Sequence, residues 1–210
     1  MTYPDHARTL IALRDADIAL HARTSKELDP QNWYPEEMAA VHDHNATVLG
    51  VIIDEIGYPT ADKVGWPGNS TAWLVLQHAI GKPDLMRRCA RLMEEAVAEG
   101  KEYPQHLAYL KDRIAVLENR PQRYGLLFDW DANGELSPEP CDDLASVNER
   151  RKGLGLNSLE EQTREMRSQA AEEGRRPPTD PTAIRQAMEG WKRRVGWIRP
   201  IHPPQSTSSR

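Results

Sequence analysis

A glutamine and a histidine stand side by side in the most apolar segment of the chain. Residues 72–80 read AWLVLQHAI, and Gln77 and His78 are the polar members of that run. A helix that is apolar on every side is a buried helix. A buried imidazole or carboxamide without hydrogen-bond partners costs roughly 1 to 3 kcal/mol. The adjacent pair therefore predicts a polar site inside the protein.

A second polar pair, Asp112 and Arg113, lies in a segment with helical periodicity. Neither residue has an opposite charge three or four positions away, where helical side chains meet. Each must therefore reach solvent or another element. A carboxylate beside an imidazole fixes its tautomer and raises its basicity, which is the arrangement of general acid–base catalysis. The competing interpretation is a solvated surface pair.

Four short motifs carry a resemblance. In chain order they are Gln77-His78-Ala79, Tyr109-Leu110-Lys111-Asp112-Arg113, Pro121-Gln122-Arg123-Tyr124-Gly125, and Arg150-Arg151 with Leu154-Gly155-Leu156. By their order and number, over roughly Asp5 to Gln162, they resemble an uncharacterised bacterial family, domain of unknown function 6624. The family pattern also implies Asn45 and a turn at Gly57-Tyr58-Pro59. This chain departs from it at Leu126-Leu127, in place of a Thr-Gln pair, and at Asp17-Ile18, in place of an acid-glutamine pair.

The resemblance implies no reaction, but it is a reason to gather the motif residues into one polar pocket between helices. The candidate catalytic residues are His78 as base, Asp112 as the group that orients it, and Tyr124. The candidate substrate-binding residues are Arg113 as an anion clamp, Gln122, Gln77, Asn45 and His42. Guanidinium suits a carboxylate or phosphate, and Gln122 with Tyr124 suits a carbonyl or oxyanion. The expected function is a cofactor-independent and metal-independent enzyme for a small-molecule or peptide substrate with an anionic or amide group.

Two alternatives stay open. The polar cluster can be a structural hydrogen-bond network in a non-catalytic binding or scaffold protein. It can also hold a metal ion in a hydrolase, if three histidines and Asp112 converge from different helices. His42 and His44 do not favour shared ligation, because residues two apart lie on different faces of a helix.

Composition excludes several classes of partner. The formal net charge is −5, with Lys and Arg dispersed among acids, so no nucleic-acid partner is expected. No window approaches 18 consecutive apolar residues, which predicts no membrane span. Two cysteines cannot form a disulfide framework and suit a reducing compartment, so the protein is expected in the cytoplasm.

Hydrophobic periodicity predicts a mainly α fold, a multi-helix bundle with a minor β-hairpin and an extended C-terminal arm. The predicted helices cover about 5–28, 35–57, 70–80, 83–99, 104–119, 158–173 and 181–195, with a loop over 58–69 and a hairpin over 124–140. The segment 148–156 is expected to be a solvated loop, or to close the pocket with Arg150 and Arg151. The predicted organisation is a helical domain over 1–173, a linker and terminal helix over 174–198, and a disordered tail over 199–210. A homodimer through the C-terminal arm would cover the apolar face of the last helix.

Overall fold

The structure is a computed structural model that describes residues 1–24 and 33–198. Within these ranges it confirms a mainly α fold with one small hairpin. The helices are α1 (Pro4–Thr24), α2 (Glu36–Ile56), α3 (Ala61–His78), α4 (Pro83–Ala98), α5 (Pro104–Leu117), α6 (Leu144–Gly153), α7 (Leu159–Glu172) and α8 (Pro181–Val195). The strands are β1 (Phe128–Trp130) and β2 (Leu136–Pro138), which pair antiparallel with Asp129 opposite Ser137.

The apolar core lies between α1, α2, α3, α4 and α5. Helix α4 shows why the segment folds this way, because Met86, Cys89 and Met93 recur at helical spacing and are fully buried. Burial raises the pKa of Cys89 to about 12, so this thiol is a packing residue. The helix α3 contributes Ala72, Val75 and Leu76 to the same core, as its composition predicts.

Helix α1 buries a stripe that includes one acidic residue. Leu10, Leu13 and Leu20 are buried, but Ile18 is 56% exposed. The stripe that faces inward runs at steps of three and four through Leu10, Leu13, Asp17 and Leu20. A carboxylate therefore occupies a core position of α1.

The predicted loop over 58–69 is largely helical, which corrects that expectation. Helix α3 begins at Ala61 and contains a kink at Gly65, whose φ is +72°. A left-handed residue breaks the helical hydrogen bonds, and Pro67 follows it near the start of the second helical segment, where the missing N–H costs nothing. The two prolines and two glycines of this stretch mark a kinked helix.

The segment 148–156 is also not a solvated loop, since most of it belongs to α6. Asp143 caps this helix by accepting a hydrogen bond from the backbone N–H of Ala145, at 3.0 Å. The side chain of Arg151 is fully buried. The run of charged residues at 149–152 hid a helix from the sequence analysis, and its buried Arg151 donates to the carbonyls of Tyr124 and Gly125.

Helix α8 packs on its own chain. The ring of Trp191 contacts the rings of Trp33 and Tyr34 edge-on, at centroid distances of 5.3 and 5.7 Å. Just beyond α8, the indole N–H of Trp197 donates to the carbonyl of Ile80. The indoles of Trp191 and Trp197 are thus buried within the chain. The tail predicted over 199–210 lies outside the described residues.

No helix in the two described ranges is both long and apolar enough to cross a membrane.

Gly68 of α3 lies tightly against Val64, one turn earlier in the same helix, and it also touches the backbone of α1. A Cβ at this position would lie 2.9 Å from both Cβ and Cγ2 of Val64 and 3.5 Å from the backbone of Ala7. We expect Gly68→Ala to lower the free energy of unfolding by about 1 to 3 kcal/mol, because overpacking outweighs the gain in helix propensity. Gly50→Ala in α2 is the matched control, since its Cβ would meet only Leu85 at 3.9 Å. It should raise stability by about 0.5 to 1 kcal/mol. Urea unfolding checks both, and equal effects of the two variants would contradict the packing assignment.

Candidate functional site

The imidazole of His78 is paired with the buried carboxylate of Asp17. Nδ1 of His78 lies 2.8 Å from Oδ2 of Asp17. Helix α3 ends at His78 and α1 carries Asp17, so the pair joins two helices that pack together. The Asp17 side chain is 2% exposed, whereas that of His78 is 24% exposed. The pair thus combines a buried carboxylate with an imidazole that reaches the surface.

A second histidine, His42 of α2, completes a three-residue cluster with Asp17 and His78. Its Nε2 lies 3.1 Å from Oδ1 of Asp17. Its ring stacks on that of His78, with centroids 4.8 Å apart and an interplanar angle of 26°. On the other side of the ring, Nδ1 of His42 lies 3.1 Å from the hydroxyl of Tyr34. Burial and the nearby carboxylates raise the pKa of Tyr34 well above its ordinary value, so this hydroxyl stays protonated.

The oxygen of Asp17 that faces His42 is not satisfied by a hydrogen bond. The Oδ1 to Nε2 contact is short, but the two atoms lack hydrogen-bond alignment, and Oδ1 is buried without another donor among the residues that the structure describes. One ligand atom from each of Asp17, His42 and His78 lies within 4.8 Å of the others. Two imidazoles and a carboxylate are a donor set that first-row transition metal ions accept.

Asn45 and Gln77, two of the predicted substrate-binding residues, lie next to this cluster in sequence and are buried. Asn45 follows His42 by one helical turn, and its Nδ2 donates to the carbonyl of Leu13 at 3.2 Å. Its Oδ1 is buried without a hydrogen bond to any described residue. Both Oε1 and Nε2 of Gln77 are likewise buried without a hydrogen bond to any described residue. Burying an amide without a hydrogen-bond partner lowers the stability of the fold, so these atoms favour a role in binding a polar group.

Asp112 does not orient His78. Its two carboxylate oxygens accept hydrogen bonds from the backbone N–H groups of Arg123, Tyr124 and Leu126, at 2.8 to 3.3 Å. Asp112 thus turned inward as expected, but towards the loop after α5. Burial raises the pKa of Asp112, although the three amide donors oppose that shift. In the structure Asp112 therefore fixes the backbone of this loop.

The motif residues Gln122 and Arg151 serve the same loop. The amide of Gln122 donates to the carbonyls of Leu127 and Glu139 and accepts from the N–H of Leu127. Arg151 lies in α6, and its guanidinium donates to the carbonyls of Tyr124 and Gly125. Together with Asp112 they form what we call the loop lock, in which three buried polar side chains satisfy the backbone of residues 122–127 and its neighbours. Gln122 therefore positions backbone, which differs from the predicted contact with substrate.

The remaining two predicted residues also lie outside the histidine cluster. Arg113 is half-buried. Its guanidinium carbon lies 6.0 Å from the ring centroid of Tyr109, and its buried Nε has no hydrogen bond among the described residues. Burial lowers the pKa of Arg113. The backbone of Tyr124 is held by Asp112 and Arg151, and its side chain is only partly buried. The structure thus divides the single predicted pocket into the histidine cluster and the loop lock.

A second histidine–carboxylate pair offers an internal comparison. Nδ1 of His106 lies 2.9 Å from Oε1 of Glu102, and the His106 side chain is 24% exposed, as for His78. The carboxylate of Glu102 also accepts from Asn69 and from the backbone N–H of Tyr103. The ring of His106 stacks on Trp73, with centroids 4.5 Å apart. Glu102 is thus fully satisfied, while Asp17 is not.

Two surface clefts of about 400 and 380 Å³ lie in the described part of the chain, and neither is lined by the histidine cluster. The first lies between the hairpin and α8, against Glu139 and Lys192. The second lies near Gly50 and Lys82. The features that mark the histidine cluster are its side-chain chemistry and the partial exposure of His78.

Sequence reasoning missed the carboxylate partner of His78 and the hydroxyl partner of His42. The signal for Asp17 was present, because it continues the stripe of Leu10 and Leu13 at steps of three and four. A charged residue at a core position is rarely buried unless it is paired. Tyr34 gave no such signal, because it lies between α1 and α2, outside any periodic segment.

The loop lock predicts a structural role for Asp112. Asp112→Ala removes the acceptor of three backbone N–H groups, so we expect the free energy of unfolding to fall by at least about 2 kcal/mol. Asp15→Ala is the control, because Asp15 is exposed and, among the described residues, pairs with the adjacent Arg14. It should change stability by less than about 0.5 kcal/mol. Denaturant unfolding at neutral pH measures both. An Asp112 variant as stable as the wild type would contradict the structural role that we assign to Asp112.

Glu102 makes stability depend on pH. Burial opposes ionisation of Glu102, but hydrogen bonds from His106 and Asn69 outweigh it and lower the pKa of the carboxyl. A lowered pKa means that Glu102 stabilises the fold above its ordinary pKa of about 4.3 and loses that contribution as pH falls through the folded-state value. We expect Glu102→Gln to be less stable than the wild type by about 1 to 3 kcal/mol near pH 7.

That difference should shrink as the pH falls through the lowered folded-state pKa of Glu102, where the wild-type carboxyl becomes protonated too. Denaturant unfolding at several pH values measures it. Glu99→Gln, at an exposed carboxylate paired with Lys101, is the control and should leave the pH dependence unchanged. A difference between Glu102→Gln and the wild type that stays constant with pH would contradict the assignment.

Comparison with known proteins identifies the family and nothing narrower. No curated protein and no solved structure matches the chain. The model of one family, described as a family of unknown function (DUF6624), matches residues 4–171. That range includes the histidine cluster and the loop lock, and it ends within α7. The chain is therefore a member of the DUF6624 family of unknown function.

Proposed function

We propose that this protein is a small-molecule enzyme that transfers a proton through His78, with Asp17 as its positioning residue. The observation that carries the proposal is the 2.8 Å contact between Nδ1 of His78 and the buried carboxylate of Asp17. This pair takes the place of the predicted pair between His78 and Asp112. The role of His78 as base is unchanged.

The carboxylate sets the chemistry of the ring. An acceptor at Nδ1 keeps the proton on that nitrogen, so Nε2 is the atom that can accept a proton from a substrate. When Nε2 takes up a proton, the negative charge of Asp17 stabilises the imidazolium that forms. His78 is also the last residue of α3. The partial negative charge at a helix C-terminus stabilises the same cation.

The three residues of the cluster differ in solvent exposure, and on this proposal they differ in role as well. Asp17 and His42 are 2% and 5% exposed, so they are held inside the helix junction. His78, at 24%, is the member that a substrate reaches from outside. The stacked ring of His42 limits rotation of the His78 ring, and the hydroxyl of Tyr34 in turn orients His42. A fixed ring is the requirement for a base that must meet one substrate atom.

Gln77 and Asn45 are our candidates for substrate contacts. They share α3 and α2 with the two histidines, and each has a buried amide oxygen without a hydrogen bond to any described residue. An amide that can both donate and accept suits a substrate with a carbonyl, amide or carboxylate group. The reaction class that fits is hydrolysis or elimination by proton transfer. Two free cysteines favour a reducing compartment, and we place the enzyme in the cytoplasm.

A non-catalytic binding or scaffold role is the second candidate. The loop lock shows that this chain uses buried polar side chains to hold backbone, and neither described cleft includes His78. On this alternative the histidine cluster fixes the packing of α1, α2 and α3. The stability of a His78 variant distinguishes the two roles, because a structural network loses several kcal/mol when one member is truncated.

The test compares metabolite consumption by matched variants. A small-molecule extract is incubated with the wild type, His78→Gln, Asp17→Asn or His106→Gln, and is followed by mass spectrometry. We expect the wild type and His106→Gln to consume the same compounds at the same rate. His78→Gln should lose at least about 100-fold in rate, since general base catalysis contributes that much. His106 is the matched control because its exposure and carboxylate contact are those of His78.

Turnover by His78→Gln at the wild-type rate would contradict the proposal. Absence of turnover by the wild type, together with a loss of several kcal/mol of stability in His78→Ala, would assign the cluster to the scaffold role.

A further inference from the structure

We infer that Asp17, His42 and His78 form a binding site for one divalent first-row transition metal ion, of which Zn²⁺ is the probe. The inference does not rest on the proposed enzymatic function, because ion binding is measured without substrate. It concerns the junction of α1, α2 and α3, to which each helix contributes one ligand.

Spacing is the first argument. One ligand atom from each residue lies within 4.8 Å of the other two. The Asp17 oxygens lie 2.8 Å from Nδ1 of His78 and 3.1 Å from Nε2 of His42. Zinc–ligand bonds of about 2.0 to 2.1 Å in a tetrahedral site separate neighbouring ligand atoms by roughly 3 to 3.5 Å. The two contacts with Asp17 lie near that range, so adjustment of the three side chains would admit the ion.

The unsatisfied oxygen of Asp17 is the second argument. Oδ1 is buried and accepts no hydrogen bond from a described residue, and it faces Nε2 of His42 without hydrogen-bond alignment. A buried carboxylate oxygen without a donor is costly. A cation between these atoms would compensate its charge. Glu102 beside His106 lacks this feature, since its carboxylate accepts from Asn69, Tyr103 and His106.

The surroundings of His42 provide a third argument. A metal-ligating histidine commonly donates its other ring N–H to a neighbouring acceptor, which fixes the ring and the tautomer. Nδ1 of His42 lies 3.1 Å from the hydroxyl of Tyr34, so Nδ1–H can donate there while the lone pair of Nε2 faces the ion. The ring of Tyr34 packs against Trp191 of α8, which gives the last helix a part in supporting the site.

Ion binding and proton transfer by His78 exclude each other. The ion would take the lone pair of Nδ1, so the ring must lose the Nδ1 proton to solvent and gain one on Nε2, and it stays neutral. His78 then serves as a ligand and no longer as a base. Three protein ligands leave a fourth position for water, as in zinc sites that activate water.

The test is calorimetric titration of the full chain with Zn²⁺, after treatment with a chelator and desalting. We expect saturable binding of one ion per chain. Asp17→Asn, His42→Gln and His78→Gln should each weaken binding at least tenfold, and Tyr34→Phe by roughly tenfold through the orientation of His42. His106→Gln should leave affinity unchanged, because the Glu102 pair contains one histidine only.

Circular dichroism establishes that each variant is folded. If a ligand variant does not fold, the comparison of Tyr34→Phe with His106→Gln decides. Wild-type protein without saturable binding would overturn the inference. Binding that is equally tight in the folded variants of the cluster would overturn it too. Since no substrate is present, either result leaves the proposed proton transfer to be judged by turnover alone.

Discussion

The carboxylate of Asp17, buried where α1, α2 and α3 meet, is the constraint on which the arrangement of these helices depends. An ionised carboxylate in an apolar core is strongly unfavourable unless charges or hydrogen bonds compensate it. Here His78 compensates one oxygen and His42 lies against the other. Because those histidines come from different helices, Asp17 sets the relative position of all three. The stacking of the imidazoles and the orientation of Tyr34 follow from that position.

The polar residues of this chain fall into two assemblies with different physical roles. In the loop lock, Asp112, Gln122 and Arg151 direct nearly all their hydrogen-bonding capacity at main-chain groups, which is how buried side chains stabilise an irregular segment. In the histidine cluster, side chains meet one another, and Oδ1 of Asp17 accepts no hydrogen bond from a described residue. Buried polar groups of folded proteins are nearly always paired. The oxygen of Asp17 departs from that rule, and it lies beside an imidazole that is partly exposed.

Much of the fold could be predicted from periodicity and capping residues. Proline at the start of α4 and α5 and the aliphatic stripes of α4 and α5 led to helices within two residues of their observed ends. The kinked start of α3 could not be predicted, because Gly65 and Pro67 break the local pattern while tertiary packing keeps the segment helical. Helix α6 was concealed for another reason: its mean composition is polar, and the burial of Arg151 depends on carbonyls that are distant in sequence.

The candidate site was predictable in part. The apolar run around Gln77 and His78 predicted a buried polar pair, and of the two Gln77 is buried whereas His78 is half-buried. The partner of His78 was not identified. The helical neighbours of Asp112 exclude a partner for Asp112 on its own helix, but they do not show which other helix its carboxylate meets. Which of two inward carboxylates meets a given imidazole depends on how the helices cross, here on the packing of α1 against α3.

The tautomer of His78 tests the central claim most directly. A long-range ¹H–¹⁵N correlation spectrum of the imidazole rings, recorded on chelator-treated protein, distinguishes a protonated ring nitrogen from an unprotonated one. Because Asp17 accepts at Nδ1, we expect His78 to carry its proton on Nδ1 in the wild type and to shift towards the Nε2 tautomer in Asp17→Asn. A wild-type His78 protonated on Nε2, or a spectrum of His78 that Asp17→Asn leaves unchanged, would contradict the claim that Asp17 orients this histidine.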